Sequence, residues 1–278
     1  MCYTDKDNAE KGPEGQIMIF CPLCSGSSGN ASYLEAGGHR VLIDAGVSAK
    51  RITELLDQIR VDVSEIDAIF VTHEHTDHVN GIGVLTKKYR IPLYINAECF
   101  NAVPVSIREK IPAACVRVFD PDHAFSLHGL QVLPFSTPHD AAHPVGYSFT
   151  SEGCKCTVMT DIGHVSERML SVAEGSDILL IEANHDVDML LAGGYPYMLK
   201  QRILSRNGHL CNEDCARTLV ELYGRGVRNV ILGHLSAENN TPELAKVTVE
   251  SMLRDAGIRD MNVVLALRDR PTGLFEVS

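Results

Sequence analysis

Short apolar runs at 17–23, 31–36 and 40–44 open the chain's pattern, separated by turns that hold Gly26, Gly29, Gly37 and Gly38. β-prone runs between glycine turns predict strands. Over 48–60 the period changes: Ile52, Leu55, Leu56 and Ile59 stand at helical spacing, on one face of an amphipathic helix. The run 68–72 reads as a buried strand, and further strands are predicted at 92–96, 115–119, 130–135, 145–150, 156–160 and 178–183. In the last third, Asn212 is expected to cap a helix with Glu213 and Asp214 in its first turn and Gly224 after its end. A buried strand follows at 229–233. Thr241-Pro242 opens a helix to about 255, and 263–267 is the last strand. Strands and helices do not alternate as clean βαβ units. The expectation is therefore an α/β sandwich of mixed sheets covered by helices, not a doubly wound parallel sheet.

Residues 1–15 are polar, with Gly12, Pro13 and Gly15, and read as a loose tail before one domain over 16–278. No linker or fixed-period repeat interrupts that span. The 278 residues carry 45% apolar and 22% charged side chains, which excludes disordered and collagen-like chains. The net charge of −11 argues against a non-specific polyanion binder, although bound divalent metals would reverse the local field. The run 17–23 is too short to span a bilayer, and it follows an acidic segment rather than the basic start of a signal peptide. A cytoplasmic protein without membrane contact is expected. Nine scattered cysteines fit reduced core thiols. Cys21-Pro-Leu-Cys24 could instead be a redox or zinc pair, but no second pair stands at zinc-ribbon spacing.

The chemistry concentrates in Thr72-His73-Glu74-His75-Thr76-Asp77-His78, just past a buried strand. His73 and His75 lie two apart, so in extended backbone they point the same way. A turn after His75 would bring Asp77 and His78 to a neighbouring point. Imidazole and carboxylate suit a borderline divalent metal. Further ligands should come from other strand ends, and His139, Asp161 and His234 each follow one.

With these residues together, the chain resembles the metallo-β-lactamase fold superfamily over nearly all of its length after the tail. Longer motifs resemble its YycJ/WalJ-type branch: Ser25-Gly-Ser-Ser-Gly-Asn-Ala31, His139-Asp-Ala-Ala, Glu182-Ala-Asn-His185, the stretch from Arg202 to His209, and Gly233-His-Leu-Ser-Ala-Glu-Asn-Asn-Thr241. The resemblance implies a four-layer αββα sandwich with metals at one edge. It implies that His73, His75 and His139 hold a first divalent ion, that Asp77, His78 and His234 hold a second, and that Asp161 bridges them. Zinc or manganese is expected, with iron possible. Asp at 161, where an antibiotic-hydrolysing group has cysteine, and His at 75, where the di-iron redox branch has a carboxylate, both favour hydrolysis. Two cations about 3.5–4 Å apart acidify a bridging water and neutralise a phosphodiester. The branch implies a 5′→3′ exonuclease on DNA, double-stranded with a 5′ end, and repair-machinery partners.

Several residues have competing readings. Asp77 and Asp161 are candidate catalytic groups as well as ligands. His164 and His209 could act as acid, phosphate contact or added ligand, or be structural. Ser25, Ser27, Ser28 and Asn30 could form an anion cradle or a plain hairpin loop. Ser236 and Asn239 follow His234 and could line the site. Lys200, Arg202 and Arg206 could track a nucleic-acid backbone or coat a solvated helix. His143 competes with His139 as ligand, and the His-Asp-Ala-Ala match favours His139. His39, His123 and His128 read as surface or loop positions. With no Trp and 6% aromatic residues, no stacking platform for bases is evident. A small-molecule hydrolase on the same fold, cleaving a cyclic phosphodiester, lactone or thioester, is the alternative activity. A binding or redox protein that uses its cysteines is the third.

Overall fold

A computed structural model describes residues 17–127 and 129–278, so the expected tail and His128 lie outside the described residues. The first half of the chain runs β1 (Met18–Cys24), β2 (Ala31–Ala36), β3 (His39–Ile43), α1 (Ala49–Gln58), β4 (Ala68–Phe70), α2 (Thr76–Val79), α3 (Ile82–Tyr89), β5 (Leu93–Ile95), α4 (Ala97–Ala102), α5 (Val105–Arg108) and β6 (Val116–Val118). The second half runs β7 (Phe125–Leu127), β8 (Leu130–Ser136), β9 (Val145–Ser151), β10 (Cys154–Met159), α6 (Glu167–Ala173), β11 (Ile178–Glu182), α7 (Val187–Ala192), α8 (Tyr197–Ile203), α9 (Asn212–Gly224), β12 (Asn229–Gly233), α10 (Pro242–Asp255) and β13 (Asn262–Leu265). A final strand, β14 (Phe275–Val277), returns to pair with β1.

Two seven-stranded sheets result, ordered β14-β1-β2-β3-β4-β5-β6 and β13-β12-β11-β10-β9-β8-β7. Each half begins with antiparallel pairs (β1–β2–β3; β7–β8–β9–β10) and continues with parallel ones (β3 to β6; β10 to β13). The halves thus repeat a pairing pattern that no sequence period announces.

Alternation along the strands builds the layers. Phe20, Val41, Ile43 and Phe70 point between the sheets and meet Tyr147, Phe149, Val158 and Leu180. Cys21, Leu42 and Ile69 point outward under α1 and α3, and Leu179 and Ile181 point outward under α9 and α10. Strands buried on both faces read as continuous apolar runs, which is why they were visible in the sequence. Between the sheets the Phe70 ring lies 5.4 Å from Phe149 and 5.6 Å from Tyr147. The buried Tyr147 hydroxyl donates to the Val71 carbonyl at 2.6 Å, so its polar atom has a partner. The layers are helix, sheet, sheet, helix, as the pattern predicts.

Helix α1 buries Ile52, Leu55 and Leu56, and Ser48 Oγ caps it by accepting from Arg51 N–H. The expected cap of α9 shifts by one residue: Cys211 is the cap, its Sγ accepting from Asp214 N–H, and Asn212 is the first helical residue. The Asn212 amide turns inward and exchanges hydrogen bonds with the Asn240 amide. Helix α10 starts as predicted, with Thr241 capping and Pro242 at the first position. Cys21 and Cys24 are buried in the core under α1. Burial pushes the Cys24 thiol up to about 12, the behaviour of an inert core thiol. No described helix is long and apolar enough to cross a membrane.

Because β8, β10, β11 and β12 run in one direction, their C-terminal ends share one edge of the second sheet. The C-terminal ends of β3 and β4 share an edge of the first. Val145 N–H donates to the Thr72 carbonyl at 3.0 Å and joins the two edges.

Candidate metal centre

Every expected ligand sits at that joined edge. After β4 the chain bends at Thr72, is extended at His75 and then turns into α2, whose first residues are Thr76, Asp77 and His78. Gly46 lets the backbone close under this turn: a Cβ there would fall 1.6 Å from the Asp77 carbonyl oxygen. Three site residues adopt left-handed backbone just past strand ends: Asp44 (φ 62°) after β3, Asp161 (φ 56°) after β10 and His234 (φ 55°) after β12. Asp and His tolerate this region better than most residues. Asp161 and His234 line the cleft from these positions, and Asp44 sits behind it against Thr72 and His78.

The side chains converge. His73, His75 and His139 present ligand atoms mutually within 4.8 Å, as do Asp77, His78 and His234, and also His73, His78 and Asp161. A fourth group joins Asp161, Glu182, His209 and His234. Asp161 stands between the first two groups, with Oδ2 3.3 Å from His78 Nε2 and Oδ1 3.7 Å from His139 Nε2. Asp161 and His234 are 3% and 2% exposed, yet Asp161 Oδ2 and His234 Nε2 have no hydrogen-bond partner. Leaving a buried polar atom unpaired costs roughly 1–3 kcal/mol. Two such atoms, one anionic, each belonging to a group of clustered imidazole and carboxylate ligand atoms, are satisfied by divalent cations. The residues present therefore fit metal ions.

The ligands are held from behind. Asp44 accepts from Thr72 N–H and Thr72 Oγ–H at 2.8 Å each and from His78 Nδ1 at 2.7 Å. Glu182 is fully buried; its Oε1 accepts from His209 Nδ1 at 2.8 Å and His234 Nδ1 at 2.7 Å, and its Oε2 from the N–H groups of Ile162 and Leu210. The Gly208 carbonyl accepts from His139 Nδ1 at 3.0 Å. Fixing Nδ1–H in this way presents Nε2 of His139 and His234 as the ligand atom. Glu74 Oε1 accepts from Ala142 N–H at 2.8 Å and ties the His139 loop to the His73–His78 loop.

Charge follows from these contacts. Burial, then neighbouring His78 and His139, keep His73 well below its ordinary pKa. Burial also opposes charge on His78, but Asp161 and Asp44 outweigh it and raise His78 to about 9. Burial would raise Glu182, and the His209 and His234 imidazoles instead hold it well below the usual carboxylate range.

A cavity of about 230 Å³ opens over this floor. Of the sequence-predicted residues, His75, Asp77, His139, Asp161, Arg202, His209, His234, Ser27 and Ser236 line it, and His73 and His78 lie buried beneath. Other expectations are corrected. Ser25 is a clamp, its buried Oγ accepting from His234 N–H at 2.8 Å. The Asn30 amide closes its own loop on Gly26 and lies 3.1 Å from His78 Nε2. Ser28 is exposed away from the lining, and Asn239 is buried behind it. His164 lines a separate cavity with Asp214 and Arg217, and its Nδ1 meets the Arg206 carbonyl, whose side chain stays outside. His143 contacts Ser136 Oγ at 3.0 Å, outside the ligand groups. His123 is exposed, and His39 is half-buried beside Asp67.

Asp44 and Glu182 were missed as site residues. Each is a carboxylate at the end of an otherwise apolar strand run, and that abrupt charge was the available signal. Tyr195, Leu199 and Ile203 also line the cavity and carried no sequence signal.

Comparison with known proteins agrees with this geometry. Residues 39–235 match the family described as the beta-lactamase superfamily domain. The chain is 40% identical over 259 residues to the exodeoxyribonuclease WalJ of Streptococcus pneumoniae serotype 2, covering 92% of this chain and 96% of WalJ. It is 39% identical over 240 residues to the exodeoxyribonuclease YycJ of Bacillus anthracis, covering 86% of this chain and 90% of YycJ. Among solved structures, the metallo-beta-lactamase fold protein YhfI from Bacillus subtilis superposes with a TM-score of 0.69 at 18% identity, covering 94% of this chain and 100% of YhfI.

Proposed function

Because the chain belongs to the β-lactamase superfamily, in the group that holds WalJ and YycJ, we propose that it is a binuclear metal-dependent phosphodiesterase, a 5′→3′ exonuclease on DNA. The observation that carries the reading is the pair of ligand groups that meet at Asp161, with two buried ligand atoms left unpartnered. In this reading His73, His75 and His139 hold one cation, and Asp77, His78 and His234 hold the other, with Asp161 shared. The all-N/O donor set suits zinc, manganese or iron. Bound divalent cations supply charge neutralisation for the phosphodiester and an acidified water.

The chain's own residues supply position and protons. Asp44 and Glu182 fix the imidazole tautomers. His209, 22% exposed at the cavity, keeps Nδ1–H donated to Glu182 and delivers a proton from Nε2 to the leaving oxygen. Ser27 and Ser236 offer hydroxyls to phosphate oxygens at the rim. Arg202, ion-paired with Asp140 at the cavity wall, meets the backbone of double-stranded DNA with a 5′ end. A role in DNA repair beside repair-machinery partners, in the cytoplasm, belongs to the same reading.

The test is incubation of Mn²⁺- or Zn²⁺-loaded protein with 5′-phosphorylated duplex DNA, bis-p-nitrophenyl phosphate, a cyclic nucleotide and a lactone. Stepwise release of nucleotides from the 5′ end is expected. Turnover of the lactone or cyclic nucleotide without DNA degradation would move the assignment to a small-molecule hydrolase.

A further inference from the structure

The wall of the cavity does not match its floor. His75, Asp77, His139, Asp161, His209 and His234 give one side nitrogen and oxygen atoms; the other side carries Tyr195, Leu199 and Ile203. Leu199 and Ile203 stand four residues apart on one face of α8, and Tyr195, in the turn before the helix, lines the cavity with them. An apolar face does nothing for a phosphate held at the floor. It suits the flat, weakly polar body attached to that phosphate in a nucleotide.

The wall is also registered against the ligands. Gly208 follows α8, and its carbonyl accepts from His139 Nδ1. A Cβ on Gly208 would fall 2.1 Å from the Ile203 carbonyl oxygen, so the end of α8 lies directly on the segment that orients His139. Arg202 pairs with Asp140, next to the same ligand. Lys200 Nζ donates to the Leu191 carbonyl at 2.6 Å and ties α8 to α7.

Resting on the exonuclease reading, we propose that Tyr195, Leu199 and Ile203 form a subsite for the base of the terminal nucleotide, with the Tyr195 ring as the surface on which it stacks. The cavity is continuous from the ligating floor to this wall, so a nucleotide whose phosphate lies at the floor places its base against α8. Stacking on an aromatic face accepts every base, as an exonuclease that removes successive nucleotides of any sequence requires. The platform absent from the sequence pattern is thus assembled from one tyrosine and two aliphatic side chains.

The test uses the full metal-loaded chain and two 5′-phosphorylated duplexes, one natural and one with an abasic tetrahydrofuran residue at the 5′ terminus. Tyr195→Ala should lower kcat/KM on the natural end about ten- to a hundredfold, the range of base–aromatic stacking. Tyr195→Phe should behave as the unaltered chain. The unaltered chain should lose a similar factor on the abasic end, and Tyr195→Ala should lose nothing further there. Metal content and thermal unfolding of Tyr195→Ala should match the unaltered chain. An equal loss for Tyr195→Ala on both ends, or no loss on either, would overturn the subsite while leaving the exonuclease reading intact. No degradation of either duplex by the unaltered chain would overturn that reading, and the subsite with it.

Discussion

At the floor of the cleft His73, His78, Asp161 and His234 are 3% exposed or less. His78 leans on Asp44 and His234 on Glu182, carboxylates buried as deeply. At the wall, Tyr195, Leu199 and Ile203 are half-buried, Arg202 is exposed, and α8 buries none of its residues. The floor is fixed by charge-assisted hydrogen bonds from behind, the wall by a few contacts at its ends. Such a division assigns the bond-breaking step, common to any phosphodiester, to the floor. Choice of substrate falls to the wall, which can vary without disturbing the ligands.

The largest effect is expected from Asp161→Ala. It removes the carboxylate shared by both ligand groups, so hydrolysis of DNA and of bis-p-nitrophenyl phosphate should fall together to background in a folded protein, checked by kinetics beside circular dichroism. Retained activity on either substrate would separate that substrate from the floor. Glu182→Gln comes next. Glu182 accepts from four N–H groups, two on each oxygen. An amide must turn its NH₂ toward two donors whichever way it lies. The floor should loosen and activity on both substrates should drop roughly 10- to 100-fold, the usual cost of losing such support. Measured metal content should fall with it.

The floor was legible in the sequence for a physical reason. Its ligands must be imidazole and carboxylate, they must follow buried strands, and four of them crowd into His73–His78. Those constraints leave marks in a single chain. Glu182 and Asp44 were half-legible, as charges closing apolar runs. The wall left no mark, because Tyr195, Leu199 and Ile203 are ordinary residues for a helix and its approach. Only their placement across from the ligands gives them meaning. Ser25 and Asn30 show the opposite error: a serine- and glycine-rich loop that reads as an anion cradle spends its buried polar atoms holding His234 and its own turn. The two similar halves of the fold were invisible because strand pairing order, not residue identity, is what repeats.

Arg202→Ala probes the wall alone. DNA binding should weaken a few-fold, with the salt slope reduced by about 1, while hydrolysis of the chromogenic diester stays nearly unchanged. Arg206→Ala, outside the cavity, should do less. An equal loss on both substrates would make Arg202 part of the floor's support. The smallest effect is expected from Asp122→Asn, which touches neither region. Burial works against the Asp122 charge, but Ser136 N–H at 2.9 Å, Ser136 Oγ–H at 2.8 Å and Arg168 outweigh it and lower its pKa. Its stabilising contribution is present above the unfolded value near 3.9 and disappears as pH falls through the lower folded value. Denaturant unfolding should show a deficit of about 1 kcal/mol for the variant between pH 6 and 8 and none at strongly acid pH, with catalysis unaltered.

Metal stoichiometry of active protein tests the central claim most directly. Elemental analysis of chain freed of excess Mn²⁺ or Zn²⁺, with exonuclease activity measured on the same sample, should give two divalent ions per chain, and Asp161→Ala should lose metal and activity together. One ion or none in fully active protein would contradict the binuclear floor.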